Sequence, residues 1–256
     1  MKNISVIGSG TMGNGIAHVF ALSGYNVSLY DISEEALLKA MQTITNNLDR
    51  QVAKGSITLV LKDTTLKLIK TFTNLKEAVV TAELVIEAAT ENKTVKLDIF
   101  RQLNEYSPLT CILCSNTSSI PIHEIANVTS RKDKVIGMHF MNPVPVMKLV
   151  EVVVTKETSL EVSLTIKKIA ESLGKIPVQV NDAPGFISNR ILMPMINEAV
   201  YALYEKVGGV SEIDEIMKLG MAHPMGPLRL ADLIGIDVCV FILNVLYQGF
   251  GLLPKP

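Results

Sequence analysis

Short apolar runs alternate along this chain with longer stretches whose apolar residues recur at helical spacing. Residues 4–7 read as a buried strand, and a helical pattern follows through Ile16, Val19, Phe20 and Leu22. A second strand spans residues 26–30. Over residues 34–54, Leu37, Leu38, Met41, Ile44 and Leu48 predict an amphipathic helix with Ser33 as its N-cap. Residues 56–69 read as its antiparallel helical partner. Further strands are expected at 84–88, 111–116, 135–140, 148–154 and 176–180, with helices at 92–106 and 159–173. Alternation of this kind implies an α/β fold with a doubly wound, mostly parallel sheet covered on both faces. The pair over residues 34–69 is then a helical insertion in that sheet.

The pattern changes at Asp182-Ala183-Pro184-Gly185, the best domain break in the chain. Beyond it every periodic stretch is helical: residues 186–206, 211–219 and 227–247. We therefore expect a Rossmann-type dinucleotide-binding domain over residues 1–183 and an all-helical C-terminal domain over 184–256.

The first strand runs into Gly8-Ser9-Gly10-Thr11-Met12-Gly13, and the second ends in Asp31, 18 residues past Gly13. In such a loop the glycines permit a tight reversal, a close approach to a diphosphate and tight helix-on-strand packing. The helix that opens there presents free N–H groups and its positive dipole end to an anion. A carboxylate at the end of the second strand accepts hydrogen bonds from a ribose 2′-OH and repels a 2′-phosphate, which favours NAD over NADP. Strand, loop, helix, strand and acid arrive in the order a dinucleotide site requires.

Composition narrows the class further. The formal net charge is −1 and no basic run occurs, so nucleic acid is not an expected partner. The N-terminus passes directly into the first strand, leaving no room for a signal peptide. Residues 233–247 are apolar but carry Gly235, Asp237 and Asn244, which suits a buried or interface helix and no membrane span. Three cysteines suit a reducing compartment, with the cytoplasm as default. Cys111-x-x-Cys114 resembles half a zinc site or a redox pair, but it lies in an expected core strand without a second Cys/His pair. Core packing is the better reading, and no metal site is expected.

In an open α/β sheet ligands bind beyond the carboxyl ends of the strands. The polar residues there are Ser118, after the 111–116 strand, and His139, near the end of the next. Glu151, on the strand after the Pro-Val-Pro turn, could reach back to His139, and Asn189 opens the first helix of the second domain. A neutral imidazole, an orienting carboxylate and hydroxyl and amide donors are what oxidation of an alcohol by NAD needs. Each residue also has a plainer reading. His139 could be a satisfied structural histidine, Ser118 and Asn189 helix caps, and Glu151 a surface strand residue. His18, His123 and His223 read as structural, and Lys54 and Lys62 as a solvated face.

Several stretches then match a known family: Gly8 to Gly13, Ser115-Asn116-Thr117-Ser118-Ser119, the block from His139 through Asn142-Pro143-Val144-Pro145 to Glu151, Pro184 to Arg190, and His223 to Pro227. Together they resemble the L-3-hydroxyacyl-CoA dehydrogenases, most of all the bacterial 3-hydroxybutyryl-CoA branch. The resemblance implies NAD as cofactor and interconversion of 3-hydroxyacyl-CoA and 3-oxoacyl-CoA, in fatty acid β-oxidation or butyrate metabolism. It implies His139 as general base, Glu151 as its orienting partner, and Ser118 and Asn189 as contacts to the substrate's C3 oxygen and thioester. Cofactor contacts then fall on the glycine loop (Gly8, Gly10, Thr11, Met12, Gly13), Asp31, Glu91, Lys96 and Asn116. Contacts to CoA fall on Asn47 and Lys54, which moves Lys54 from solvated face to phosphate contact. The C-terminal helices resemble the family's dimerisation domain, so a homodimer is expected. Two departures stand out. Arg229 occupies a position where the family usually carries Glu. Family members also run on past this chain's end with a Gly/Lys-rich segment bearing a lysine that reaches the cofactor, so the C-terminal domain is expected to be truncated. Two other readings remain open: a dehydrogenase of a free 3-hydroxy acid in the same fold, and a catalytically impaired NAD-binding or structural relative.

Overall fold

The computed structural model describes residues 1–251. In chain order it contains β1 (Asn3–Ile7), α1 (Thr11–Leu22), β2 (Asn26–Tyr30), α2 (Glu34–Ala53), α3 (Leu59–Lys67), β3 (Ile69–Phe72), α4 (Leu75–Val79) and β4 (Leu84–Glu87). Then come α5 (Lys93–Tyr106), β5 (Ile112–Ser115), α6 (Ile122–Ala126), β6 (Val135–Phe140), β7 (Leu149–Val154), α7 (Leu160–Ser172) and β8 (Ile176–Asn181). The described residues close with α8 (Ser188–Tyr204), α9 (Val210–Gly220), α10 (Pro227–Ile234) and α11 (Ile236–Phe250). It groups into two compact units. One comprises residues 1–117 and 121–182; the other comprises 118–120 and the chain from Ala183 onward.

The first unit is built on one 8-stranded sheet in the order β3-β2-β1-β4-β5-β6-β7-β8. Every neighbouring pair is parallel except β6 and β7. The order reverses direction between β1 and β4, the switch point where such sheets leave a crevice. Successive strand residues face opposite sides of a sheet. Ile4 and Val6, Leu84 and Ile86, and Met138 and Phe140 accordingly share one core with α1, α2 and α7. Their neighbours Ser5, Val85 and His139 belong to the other face, and Ser5 Oγ donates to the Ala78 carbonyl of α4. Ser33, Asn92 and Ser159 cap α2, α5 and α7, each accepting a backbone N–H from the first turn.

Three local expectations are corrected. The amphipathic stretch over 56–69 ends two residues early as a helix, and Ile69 opens a short edge strand, β3, paired with β2. The short helices α4 and α6 are additional. In the second unit, the expected helix over 227–247 is two helices, α10 and α11, bent by 98°. Gly235 stands between them at φ +102, a conformation that a side chain would strain. Asp214 of α9 receives Leu228 N at 2.9 Å and Arg229 N at 3.1 Å, capping α10 from outside. This unit closes on Met193, Ile196, Ala231, Cys239, Ile242 and Leu246. Among the described residues no single helix is long and apolar enough to cross a membrane; bent α10–α11 passes that test only as a pair.

Candidate active site

The loop between β1 and α1 has no slack. Gly8 takes φ +97, and its N–H donates to Tyr30 O at 2.8 Å. A Cβ on Gly8 would lie 2.6 Å from the Ala88 carbonyl oxygen, and one on Gly13 1.8 Å from Gly8 O. Gly10 differs: a Cβ there meets nothing within 4 Å, and no side chain caps the α1 N-terminus. The backbone there is laid open to an anionic ligand, so the loop fits a diphosphate. Asp31 Oδ2 accepts from Ser9 N at 2.8 Å and Ser9 Oγ at 2.9 Å, while Oδ1 accepts from Ser33 N at 3.1 Å. The acid is thereby fixed to the loop it serves.

Lys96 and Glu91 meet at the carboxyl ends of β4 and β5, beside a residue that motif reading passed over. Glu87 is 0% exposed, and it accepts from Lys96 Nζ at 2.7 Å, Ser115 Oγ at 2.7 Å and Ala89 N at 2.8 Å. A carboxylate is retained in such a position only when paired and fully hydrogen-bonded. Lys96 lies 3.5 Å from Glu91, whose Oε1 accepts from Thr117 Oγ1 at 2.5 Å. Glu87 thus ties together β4, β5 and α5. Its signal in the sequence was a charge closing the apolar run from Leu84 to Ile86.

His139 and Glu151 stand directly opposite each other in the antiparallel β6–β7 pair. Nδ1 of His139 lies 2.7 Å from Glu151 Oε2, and the two residues are 7% and 2% exposed. A proton on Nδ1, donated to the carboxylate, places a lone pair on Nε2, the tautomer a general base requires. Asn116 braces this end of β6, its Oδ1 accepting from Phe140 N at 2.8 Å. Glu151 is therefore no surface residue.

The second unit holds Ser118 and Asn189. Asn189 is buried in the first turn of α8, and its Nδ2 donates to Ser118 O at 3.0 Å. The N-cap positions of α6 and α8 are Pro121 and Ile187, neither of which supplies a side-chain cap, and Asn189 lies inside the first turn of α8. Asp182 instead accepts from the α6 amides of Ile122 and His123, and also pairs with the His123 ring at 2.6 Å.

On the α2 side a cleft of about 470 Å³ runs beside the glycine loop. Gly10, Thr11, Lys39 and Asn47 line it, together with residues 142–145 of the β6–β7 connection. Lys54 is exposed at the C-terminal end of α2 and is not among the lining residues, while Lys62 pairs with Asp49. Cys111 and Cys114 are buried and unbridged. Burial pushes the Cys111 thiol up to about 12 and Cys114 higher than usual, so both are inert. No group of metal-ligating side chains occurs among the described residues. His18 is buried beside Gln51, and burial, with the charge of Lys175 second, lowers its pKa to about 4, so it stays neutral.

A mostly parallel sheet with the order reversal at β1/β4, a glycine loop and a buried His–Glu pair define an NAD-dependent dehydrogenase. Comparison narrows the class. Residues 3–183 match the NAD binding domain of 3-hydroxyacyl-CoA dehydrogenase, and residues 185–252 match its C-terminal domain. The chain belongs to the 3-hydroxyacyl-CoA dehydrogenase family. It is 48% identical over 254 residues to the 3-hydroxybutyryl-CoA dehydrogenase of Bradyrhizobium diazoefficiens, covering 98% of this chain and 85% of that one. To the 3-hydroxybutyryl-CoA dehydrogenase of Clostridioides difficile it is 47% identical over 248 residues, covering 97% and 88%. The crystal structure of (S)-3-hydroxybutyryl-CoA dehydrogenase from Ralstonia eutropha superposes with a TM-score of 0.95 at 45% identity, covering 98% of this chain and 89% of that one. The activity is therefore NAD-dependent interconversion of 3-hydroxyacyl-CoA and 3-oxoacyl-CoA.

Proposed function

We propose that this enzyme works on short acyl chains, interconverting (S)-3-hydroxybutanoyl-CoA and acetoacetyl-CoA, with His139 as its general base. The observation that carries the mechanism is the buried His139–Glu151 pair. NAD, when bound, supplies the hydride acceptor. His139 Nε2 takes the proton of the C3 hydroxyl in the oxidative direction and returns it in the reductive one. Glu151 holds the ring tautomer and stabilises the imidazolium. Ser118 and Asn189 serve as substrate-orienting groups. Gly8, Gly10, Thr11, Met12 and Gly13 cradle the diphosphate, and Asp31 takes the adenosine ribose. Glu91, Lys96 and Asn116 complete the cofactor contacts. Asn47, inside the cleft, and Lys54, at the end of the same helix, contact CoA. The chain-length assignment rests on the names of the relatives.

The helical C-terminal unit is read as the dimerisation and substrate domain. It leaves Leu233, Val240, Phe241 and Phe250 exposed on α10 and α11, apolar surface that a second copy would cover. We place the enzyme in the cytoplasm, in keeping with its unbridged cysteines.

The direct test is loss of NADH absorbance with acetoacetyl-CoA. Turnover that free acetoacetate does not match supports the thioester reading; equal rates with the free acid would replace it with a 3-hydroxy-acid dehydrogenase. Glu151→Gln removes the charge opposite the imidazolium. A hydrogen bond to a charged group contributes about 1.5–3 kcal/mol, so kcat should fall about 10- to 100-fold. The KM for NADH should hold. Asp31→Ser removes the charge that repels a 2′-phosphate, and the preference for NADH over NADPH should shrink by about tenfold or more. A preference left intact in that variant would move the ribose contact elsewhere.

A further inference from the structure

Lys175 has no part in the mechanism above, yet it is 7% exposed. It stands between α7 and β8, and burial lowers its pKa. Its ammonium donates to two backbone carbonyls of the β6–β7 connection, Val144 O and Met147 O, the second at 2.7 Å. Among the described residues it makes no ion pair with a carboxylate. A buried charge held by carbonyl dipoles is costly, and what this one secures is the connection. From the other side the same connection rests on α1. A Cβ on Gly15 would lie 2.9 Å from Val144 Cβ, so Val144 fills the space that glycine leaves. Between these two supports, residues 142–145 form one wall of the cleft that Gly10, Thr11 and Asn47 line.

The catalytic pair does not need this clamp. His139 and Glu151 are fixed by the β6–β7 ladder, which continues through the pairing of Phe140 with Val150. The clamp lies beyond that last rung. We infer that Lys175 is a positioning residue for the acyl-CoA substrate: it fixes the 142–147 connection as the wall of the Asn47 cleft. This rests on the proposed assignment of Asn47 to CoA; Gly10 and Thr11, assigned to the cofactor, line the same cleft, so KM for NADH is measured alongside and should stay within about twofold. Lys175 therefore governs capture of the nucleotide-bearing thioester and leaves the proton transfer alone. A wall that wanders by an ångström forfeits the orientation that binding energy otherwise secures.

The test compares acetoacetyl-CoA with S-acetoacetyl-N-acetylcysteamine, which carries the same reacting group without the nucleotide. Lys175→Met should raise KM for acetoacetyl-CoA by about tenfold or more, with kcat within about threefold. The kinetics of the short thioester should barely move. Gly15→Ala reaches the same wall from α1, in a helix that gains propensity from the change, and should raise the same KM. A lowered melting temperature with both KM values unchanged overturns the proposal, since Lys175 would then be structural only. Should Lys175→Met fail to fold, Gly15→Ala decides: an unchanged KM there also overturns it. If the wild-type chain turns over neither thioester, the functional reading fails separately. The clamp is then read from amide exchange at Val146 and Met147, which both donate to Pro143 O at 3.0 Å. Faster exchange in the lysine variant supports the clamp, and unchanged exchange overturns it.

Discussion

His139→Gln is expected to lower kcat for acetoacetyl-CoA reduction by about 10²- to 10⁴-fold, the range a positioned general acid–base supplies. NADH affinity should stay within about twofold, because that binding is assigned to the glycine loop and Asp31. Glutamine is the informative replacement. Its amide N–H can still donate to Glu151, so the buried carboxylate is not left without a donor and the β6–β7 pair should keep its geometry. What glutamine lacks is a titratable nitrogen. The loss should therefore appear at saturating substrate in both directions, since the same group takes the proton in oxidation and returns it in reduction. Near-normal turnover by this variant would remove His139 from the mechanism.

The dyad was legible because residue types and strand order were. His139 and Glu151 lie on adjacent apolar strands, and Pro143 and Pro145 between them rule out an intervening helix. What could not be read was the register that sets them directly opposite. Register is set by the backbone pairing of the whole β6–β7 ladder, from Gly137 opposite Val153 to Phe140 opposite Val150, and residue types do not reveal that pairing. Asn116 shows the same limit. Its position at a strand end marked it as a site residue, but its partner is the Phe140 backbone, which carries no residue-type signal.

The fold was legible wherever a segment was long or buried on both faces. Central strands such as β4 and β5 read as apolar runs, each closed by one polar residue, Glu87 and Ser115. The edge strand β3, Ile-Lys-Thr-Phe, is half polar and was absorbed into the helical period before it. Helices α4 and α6, at 5 residues each, are too short to display a period. In α10 and α11 the difficulty is reversed. Apolar residues continue through the bend, and only Gly235 marks it.

Gly13→Ala should be the most damaging change to cofactor binding. The added Cβ would sit 1.8 Å from Gly8 O, about 1.5 Å short of an ordinary C···O contact. Gly8 cannot retreat, because its N–H is held by Tyr30 O and its other side meets the Ala88 carbonyl. The loop must therefore shift, and its amides leave the positions proposed to receive the diphosphate. Losing two charge-assisted hydrogen bonds at about 1.5–3 kcal/mol each predicts an NADH affinity lower by about 10²- to 10⁴-fold. Overpacking also destabilises, by about 1–3 kcal/mol, so the melting temperature should fall in parallel. Gly10→Ala separates the two effects. A Cβ there meets no protein atom within 4 Å, so stability should hold, yet the methyl projects into the space assigned to the cofactor. NADH titrations monitored by fluorescence, with melting curves on the same samples, read both quantities. Lost affinity in both variants, with lost stability only in Gly13→Ala, is the expected pattern. Wild-type affinity in both would mean that the diphosphate does not sit at this loop.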